Sequence, residues 1–435
     1  VIYLLLAFQL ALILEMRRRL KGFNPPEAAS WFLWFSQIIY INGDLFTGSD
    51  SAAARWMTYS YLNHPERLVI YYTFAIIMFS CSTLGMSRLS TSISELRQSM
   101  LAIIRRAAVF EPYMAGIVVV VLVTQMAILN WDVVLSNHTY LLLGSWEATK
   151  VDKSIGALVL SMAGASSLLS SMFLAISLSR RFNAYTIVWS AAFSWQLAFS
   201  VAASSRASAM LVGIVVIFSS LFAKRASPLR QVALLLCAGW LYCSALGGRG
   251  HGHFGLTAIP EILASPLELQ TKQWLEMLAS VFQGAFITGD GLDFTANFNP
   301  IYKMLSFSPL PSVIDHFSTY LALYEIRLNA FVPMGAQTEV VFFGPGYTAL
   351  FWGTLFFLCR TLIKNKPYIG IFYYFGSLFF LITFMQTGAY PTRSVYRTFF
   401  LLLIFGMALA NRNRNAAVRA RADARPGPRP MPGQR

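Results

Sequence analysis

Four arginines stand where a guanidinium is costly to keep. Arg206 lies in SSRASAML between two apolar runs, 185 to 204 and 207 to 223, with almost no loop to lift it into water. A cation at or just inside a membrane boundary is unfavourable unless it is paired or lines a wet cavity. Arg393 and Arg397 open the last apolar run in YPTRSVYRTFF, four residues apart and hence on one face of a helix, where two cations repel. That arrangement suits a shared anion such as a phosphate or diphosphate, because the guanidinium fork pairs with phosphate oxygens in bidentate fashion. The competing reading of Arg206, Arg393 and Arg397 is plain interfacial charge snorkelling to headgroups. Arg249 belongs to LGGRGHGHFG (246 to 255), where glycines let backbone approach a ligand closely. There His251 and His253 add donors and a candidate base. Without a nearby carboxylate the two histidines are a weak metal pair, and no metal or cofactor is expected. Asp290 and Asp293, in TGDGLDF, read as turn residues, and His316 as an ordinary surface residue.

The elements that must position these residues are membrane helices. The chain has 435 residues, 56% of them hydrophobic and only 12% charged, with a mean hydropathy of +0.55. Crossing a hydrocarbon layer of about 30 Å takes about 20 residues at 1.5 Å each. Eleven runs qualify, near 1 to 15, 28 to 45, 68 to 87, 113 to 130, 155 to 178, 185 to 204, 207 to 223, 231 to 247, 341 to 359, 368 to 387 and 395 to 410. Cys81, Cys237, Cys243 and Cys359 all fall inside them, where a thiol behaves as a small apolar group, so neither a disulfide framework nor a zinc site is expected. No CxxC, HExxH or Walker loop occurs, and the GxG fragments near Gly248 and Gly252 follow an apolar helix rather than a strand, so nucleotide chemistry is not indicated.

Charge gives the sidedness. If the runs alternate and Arg17, Arg18, Arg19 and Lys21 are cytoplasmic, 23 of the 34 Lys and Arg fall inside, and 14 of the 19 Asp and Glu fall outside. The net charge of +15 is then a topology signal, not a nucleic-acid footprint. His64, His138, His251, His253 and His316 all fall on the outer side, as do the four arginines, so any chemistry should face outward. The first run is short and starts at Val1, which raises the expectation that an earlier helix, or part of the first, is missing.

The expected organisation is transmembrane helices over 1–247, an outer loop over 248–340, further transmembrane helices over 341–411 and a basic tail over 412–435. A loop of that length is functional or disordered. Order is expected, because the stretches 260 to 282 and 311 to 326 repeat apolar residues at helical spacing and would lie on the membrane surface or cap a cavity. The tail, rich in Arg, Pro, Ala and Gly, is expected to be disordered and to rest on anionic lipid.

Two strings carry a family resemblance: FSPLPSVID (307 to 315) and VPMGAQTEVVFFGPGYTALFWG (332 to 353). With the long outer loop and the SR pair at the outer start of a central helix, they resemble the oligosaccharide repeat-unit polymerases, the Wzy or O-antigen polymerase family. The O-antigen ligases, which share that membrane fold, are more distantly similar. The resemblance implies an all-α, GT-C-like helix bundle in a bacterial inner membrane and a metal-independent glycosyltransferase. Its substrates would be undecaprenyl diphosphate-linked glycans at the periplasmic face, with a chain-length-regulating membrane protein as partner. The SR arginine maps onto Arg206, and the acidic residue before the FGxGY-like turn maps onto Glu339. Ligases carry a His upstream of that turn where this chain has Pro333 to Glu339, which favours polymerase and leaves the base open. The expectation is that at least two of Arg206, Arg249, Arg393 and Arg397 converge on one cavity, with Glu339, His251 or His253 near the acceptor hydroxyl. The alternative is a lipid-linked oligosaccharide flippase or another secondary transporter. No internal repeat supports it, and the polar groups collect at one face.

Overall fold

The computed structural model describes residues 1–20, 24–42, 65–86, 93–135, 148–178, 183–222, 228–269, 274, 280–293, 296–310, 317–324, 326–328, 332–369 and 372–423. The described chain is helical apart from an antiparallel pairing of Arg327 with Pro333 and Leu328 with Val332, and one isolated bridge between Leu129 and Thr149. Nine of the eleven apolar runs lie largely within one helix each among the described residues, whereas 341 to 359 is divided at Gly344 between Ala336–Phe343 and Pro345–Ile369, and 368 to 387 begins in Pro345–Ile369 and continues in Phe372–Gln386. Five segments are long and apolar enough to cross a membrane: Val109–Ile128, Leu158–Leu178, Leu229–His251, Pro345–Ile369 and Thr392–Ala416. Large apolar side chains such as Val120, Leu236, Leu401 and Phe405 point outward from them, as hydrocarbon-facing helices require.

The chain divides into two compact units, one of Val1–Thr91 with Leu278–Arg435 and one of Ser92–Met277. This division differs from the hydropathy boundaries, because the expected outer loop is shared: its first part packs within the second unit and the remainder within the first.

The first unit contains α1 (Ile2–Leu20), α2 (Pro25–Ile41) and α3 (Pro65–Ser82). Asn24 starts α2 by accepting the Glu27 N–H at 2.9 Å, and Pro25 occupies the first turn, where its missing N–H costs nothing. Gln9 and Gln37 exchange amide hydrogen bonds of 3.0 and 2.9 Å between α1 and α2, and Gln9 also donates to Thr73 of α3 at 2.7 Å. Such pairing satisfies polar groups that hydrocarbon could not.

The second unit contains α4 (Ile93–Ile128), α5 (Trp131–Leu135), α6 (Lys153–Leu178), α7 (Ala184–Ala202), α8 (Ala207–Phe222), α9 (Pro228–His251) and α10 (Ile259–Ala264). Asn183 and Thr186 form a capping box at the start of α7. Buried Glu111 of α4 accepts the Trp189 indole N–H of α7 at 3.1 Å.

The rest of the first unit comprises α11 (Gln283–Asp293), α12 (Pro300–Ser306), α13 (Phe317–Tyr324), α14 (Ala336–Phe343), α15 (Pro345–Ile369), α16 (Phe372–Gln386) and α17 (Thr392–Asp423). Three glycines let its backbones touch. A Cβ on Gly335 would lie 2.1 Å from the Gly388 carbonyl oxygen, and one on Gly284 would lie 3.2 Å from the Gly388 Cα. Gln337 then pins the turn between α16 and α17, donating from its backbone N–H to Thr387 O at 3.1 Å and from Nε2 to Thr387 Oγ1 at 2.6 Å.

Three expectations change here. Asp290 and Asp293 lie in α11 rather than in a turn. Within 260 to 282, Ile259–Ala264 gives way to a 3-10 piece at Ser265–Glu268, with Pro260 and Pro266 each in a first turn, and a second 3-10 piece lies at Ser280–Phe282, while 270–273 and 275–279 lie outside the described residues. Of the tail, 412 to 423 continues the last helix, as alanine and arginine favour helix even where no core can form, and 424 to 435 lies outside the described residues. Of 311 to 326, Phe317–Tyr324 is helical and 311 to 316 lies outside the described residues.

Candidate functional site

In the second unit, Arg249 holds the turn that Arg206 follows. The turn joins α7 to α8 and runs through Ser204, whose φ of +46° is left-handed, a region costly for a residue other than glycine. It is held from several directions. Arg249 Nε donates to the Ser204 carbonyl at 2.8 Å, Ser204 Oγ donates to the His253 carbonyl at 3.0 Å, and the Gly255 N–H donates to Ala202 O at 2.9 Å. Two residues beyond Ser204, the Arg206 guanidinium lies 5.8 Å from the Tyr242 ring centroid, over its face.

The glycines of LGGRGHGHFG serve this contact. α9 continues through them to His251, and a Cβ on Gly248 would meet Ser204 Oγ at 2.7 Å, while one on Gly247 would meet Ser265 Oγ at 2.5 Å. Beyond the helix, Gly252 and Gly255 take φ of +72° and +97°, which glycine alone adopts without strain. His251 and His253 stack with ring centroids 5.9 Å apart, and His251 Nδ1 is 3.6 Å from Glu268 Oε2. Arg206, Arg249 and His253 are half-buried and His251 is exposed. Arg249, His251 and His253 thus stand at the end of α9, while Arg206 opens α8 over Tyr242 of α9.

In the first unit, Glu339 and Arg393 are engaged inside the protein. Glu339, 1% exposed, accepts the Tyr302 hydroxyl on Oε1 at 3.0 Å and the Thr392 backbone N–H on Oε2 at 2.6 Å. Arg393, 2% exposed, donates through Nη1 to the Leu305 carbonyl and through Nη2 to the Leu310 carbonyl at 2.8 Å, with its guanidinium 4.5 Å from the Phe317 centroid. At Arg393, expected to contact a diphosphate, the described partners are these backbone carbonyls. Arg397, one turn further along α17, is half-buried. A cavity of about 300 Å³ between α1 and α2, lined by Tyr3, Leu6, Leu10, Trp34, Ile38 and Asn42, contains none of the candidate residues. His64, His138 and His316 lie outside the described residues.

Residues that the sequence did not single out complete both clusters: Ser204, Tyr242 and Glu268 in one, Tyr302 and Thr392 in the other. Only Ser204 carries a local signal, its place in the loopless SSR between two apolar runs. Comparison with protein-family models, curated proteins and solved structures returns no match for this chain.

Proposed function

We propose that this chain polymerises lipid diphosphate-linked oligosaccharide repeat units, with undecaprenyl diphosphate as the carrier, at the outer face of a bacterial inner membrane that it crosses about eleven times. The observation that carries the proposal is the bond from Arg249 to the carbonyl of Ser204, two residues before Arg206, at the end of apolar helix α9. Glycosyl transfer from a lipid diphosphate forms a bond between the acceptor hydroxyl oxygen and the donor anomeric carbon. The bond from that carbon to the diphosphate oxygen breaks, and the diphosphate departs with the electron pair. Cations fixed at a membrane boundary stabilise that developing charge better than mobile ones, because they need no reorganisation as it appears.

The hydroxyl proton goes to an acceptor. His251 and His253 are preferred over Glu339, since they stand on the same segment as Arg249 and reach solvent, whereas both Glu339 oxygens are engaged in the interior. Glu268, near His251 Nδ1, favours a tautomer that leaves Nε2 to accept the proton. Arg397 remains a candidate for a second phosphate contact.

The test is the glycan pattern of a strain lacking the protein. Loss of a polymerase collapses a ladder of chain lengths to a single repeat that still reaches the cell surface. Arg206→Ala and Arg249→Gln should reproduce that collapse with the protein still present in the membrane. Lipid-linked single units trapped on the cytoplasmic side would instead identify a flippase, and an unchanged ladder would overturn the proposal.

A further inference from the structure

Tyr242 of α9 meets the Arg206 guanidinium with the face of its ring, the guanidinium carbon lying 5.8 Å from the ring centroid. Arg249 is the seventh residue after Tyr242, and seven helical steps of about 100° return to within about 20° of the same direction. One stripe of α9 therefore meets the start of α8 twice. Arg249 grips the Ser204 carbonyl at 2.8 Å near the helix end, and Tyr242 meets Arg206 from a position about 10 Å further back along the axis. Tyr242 belongs to the membrane-compatible stretch Leu229–His251, so the charge of Arg206 is drawn back from the helix end toward the apolar part of α9. Both residues are half-buried, which leaves the pair partly desolvated and still reachable.

We propose that Tyr242 is a positioning residue, whose ring face holds the Arg206 guanidinium where it meets a phosphate oxygen of the lipid-linked donor. The proposal rests on the reading of Arg206 as a contact to the departing diphosphate. Holding a cation and neutralising it are different acts. A carboxylate would fix the arginine and cancel its charge, whereas an aromatic ring attracts a cation through its quadrupole and carries no net charge itself. The pair of Arg206 and Tyr242 thus keeps a whole positive charge for an incoming anion. Arg393 puts the same kind of contact to another use: its guanidinium lies 4.5 Å from the Phe317 centroid, but Nη1 and Nη2 donate to the Leu305 and Leu310 carbonyls and so fasten backbone. Arginine has a long stem with many rotamers, and an anion that had to order it on binding would lose affinity to that ordering. A ring that fixes the guanidinium beforehand removes the loss, and partial desolvation strengthens its hold.

The experiment is calorimetric titration of inorganic diphosphate into the purified full chain in detergent, across a series of rings at position 242. Tyr242→Phe keeps the ring face and should retain binding; loss there would assign the role to the hydroxyl and overturn the proposal. Mono-, di- and trifluorophenylalanine at 242 then drain the negative face stepwise at nearly constant shape. Affinity should fall with each fluorine, by about five-fold over the series, a gradient that a ring serving only to fill space would not give. Affinity that stays level or rises along the series overturns the proposal. Arg206→Gln separates this failure from that of the reading beneath it. Diphosphate binding lost in Arg206→Gln but level along the fluorinated series removes only the role of Tyr242. Affinity unchanged by Arg206→Gln, or no binding by the native chain, removes the Arg206 contact itself and the role of Tyr242 with it.

Discussion

Glu339 Oε2 accepts the backbone N–H of Thr392 at 2.6 Å, and Thr392 is the first residue of the last helix. A carboxylate there satisfies an N–H with no partner inside the helix and faces the positive end of its dipole. The other oxygen takes the Tyr302 hydroxyl from α12. Arg393, next in sequence to Thr392, closes the loop by holding the carbonyls of Leu305 and Leu310, just beyond Tyr302. Two consecutive residues of α17 thus grip both ends of one circuit through Tyr302 and Glu339, and the string that suggested a family likeness acts here as a clasp between α12, α14 and α17.

That circuit makes Glu339 a stability residue whatever else it does. Glu339→Ala leaves the Tyr302 hydroxyl and the Thr392 N–H buried without their acceptor and should cost roughly 3 kcal/mol, since each stranded group costs about 1 to 3 kcal/mol. Glu339→Gln keeps one acceptor oxygen and should lose about half as much. Thermal midpoints in one detergent check the order, and an alanine variant as stable as the native chain would show that the carboxylate is not holding α17.

Glycine contacts in the same unit predict a contrast between two chemically identical changes. At Gly335 a Cβ would meet the Gly388 carbonyl oxygen at 2.1 Å, a backbone atom that cannot rotate away, so Gly335→Ala must part the α14 segment from the 387–390 turn. Overpacking of this kind costs about 1 to 3 kcal/mol or more. Gly353 within α15 has nothing within 4 Å, and Gly353→Ala should be neutral or gain up to about 1 kcal/mol from helix propensity. The relative yield of folded protein after detergent extraction at rising temperature separates the two.

How much of this was legible in the sequence depends on the distance over which each signal acts. Apolar runs of helical length announce themselves locally, and nine of the eleven lie largely within one helix each, but the break at Gly344 inside 341 to 359 left no mark on hydropathy. The Arg206 turn was legible for the same reason, as two such runs leave no room for a loop. The partners of Arg393 were not. They are main-chain carbonyls 88 and 83 positions away, and a carbonyl leaves no mark on residue type. The likeness to a ligand-binding arginine pair came from spacing on a helix face, which says where the residues point and not what meets them. The tail misled differently, because composition that forbids a core says nothing against an extended helix anchored by a membrane segment.

Gln9 and Gln37 give a prediction that depends on their acting together. Removing one amide strands the other, so Gln9→Leu should destabilise by about 1 kcal/mol, in the range of hydrogen bonds between membrane helices. Changing both to leucine removes the stranded group and should restore much of the loss, because replacing both partners by apolar groups of similar shape is nearly neutral. A double-mutant cycle on thermal or denaturant unfolding measures the coupling, and strictly additive losses would show that the reciprocal pair of 3.0 and 2.9 Å contributes nothing as a pair.

The Ser204 turn can be probed without touching either arginine. Gly248 and Gly250 are two residues apart in α9, and alanine at either improves helix propensity by up to about 1 kcal/mol. Their surroundings oppose each other: a Cβ at 248 would lie 2.7 Å from Ser204 Oγ and 3.3 Å from Ile262, and one at 250 would meet nothing within 4 Å. Ser204 Oγ cannot yield freely, since it is bonded to the His253 carbonyl and its backbone already sits at φ +46°. Gly248→Ala should therefore push the turn away from α9, stretch the Arg249 bond to the Ser204 carbonyl and lower the thermal midpoint, while Gly250→Ala raises it or leaves it unchanged. The two substitutions differ only in whether the added methyl meets the turn, so matching midpoints would mean that α9 does not hold Arg206 in place.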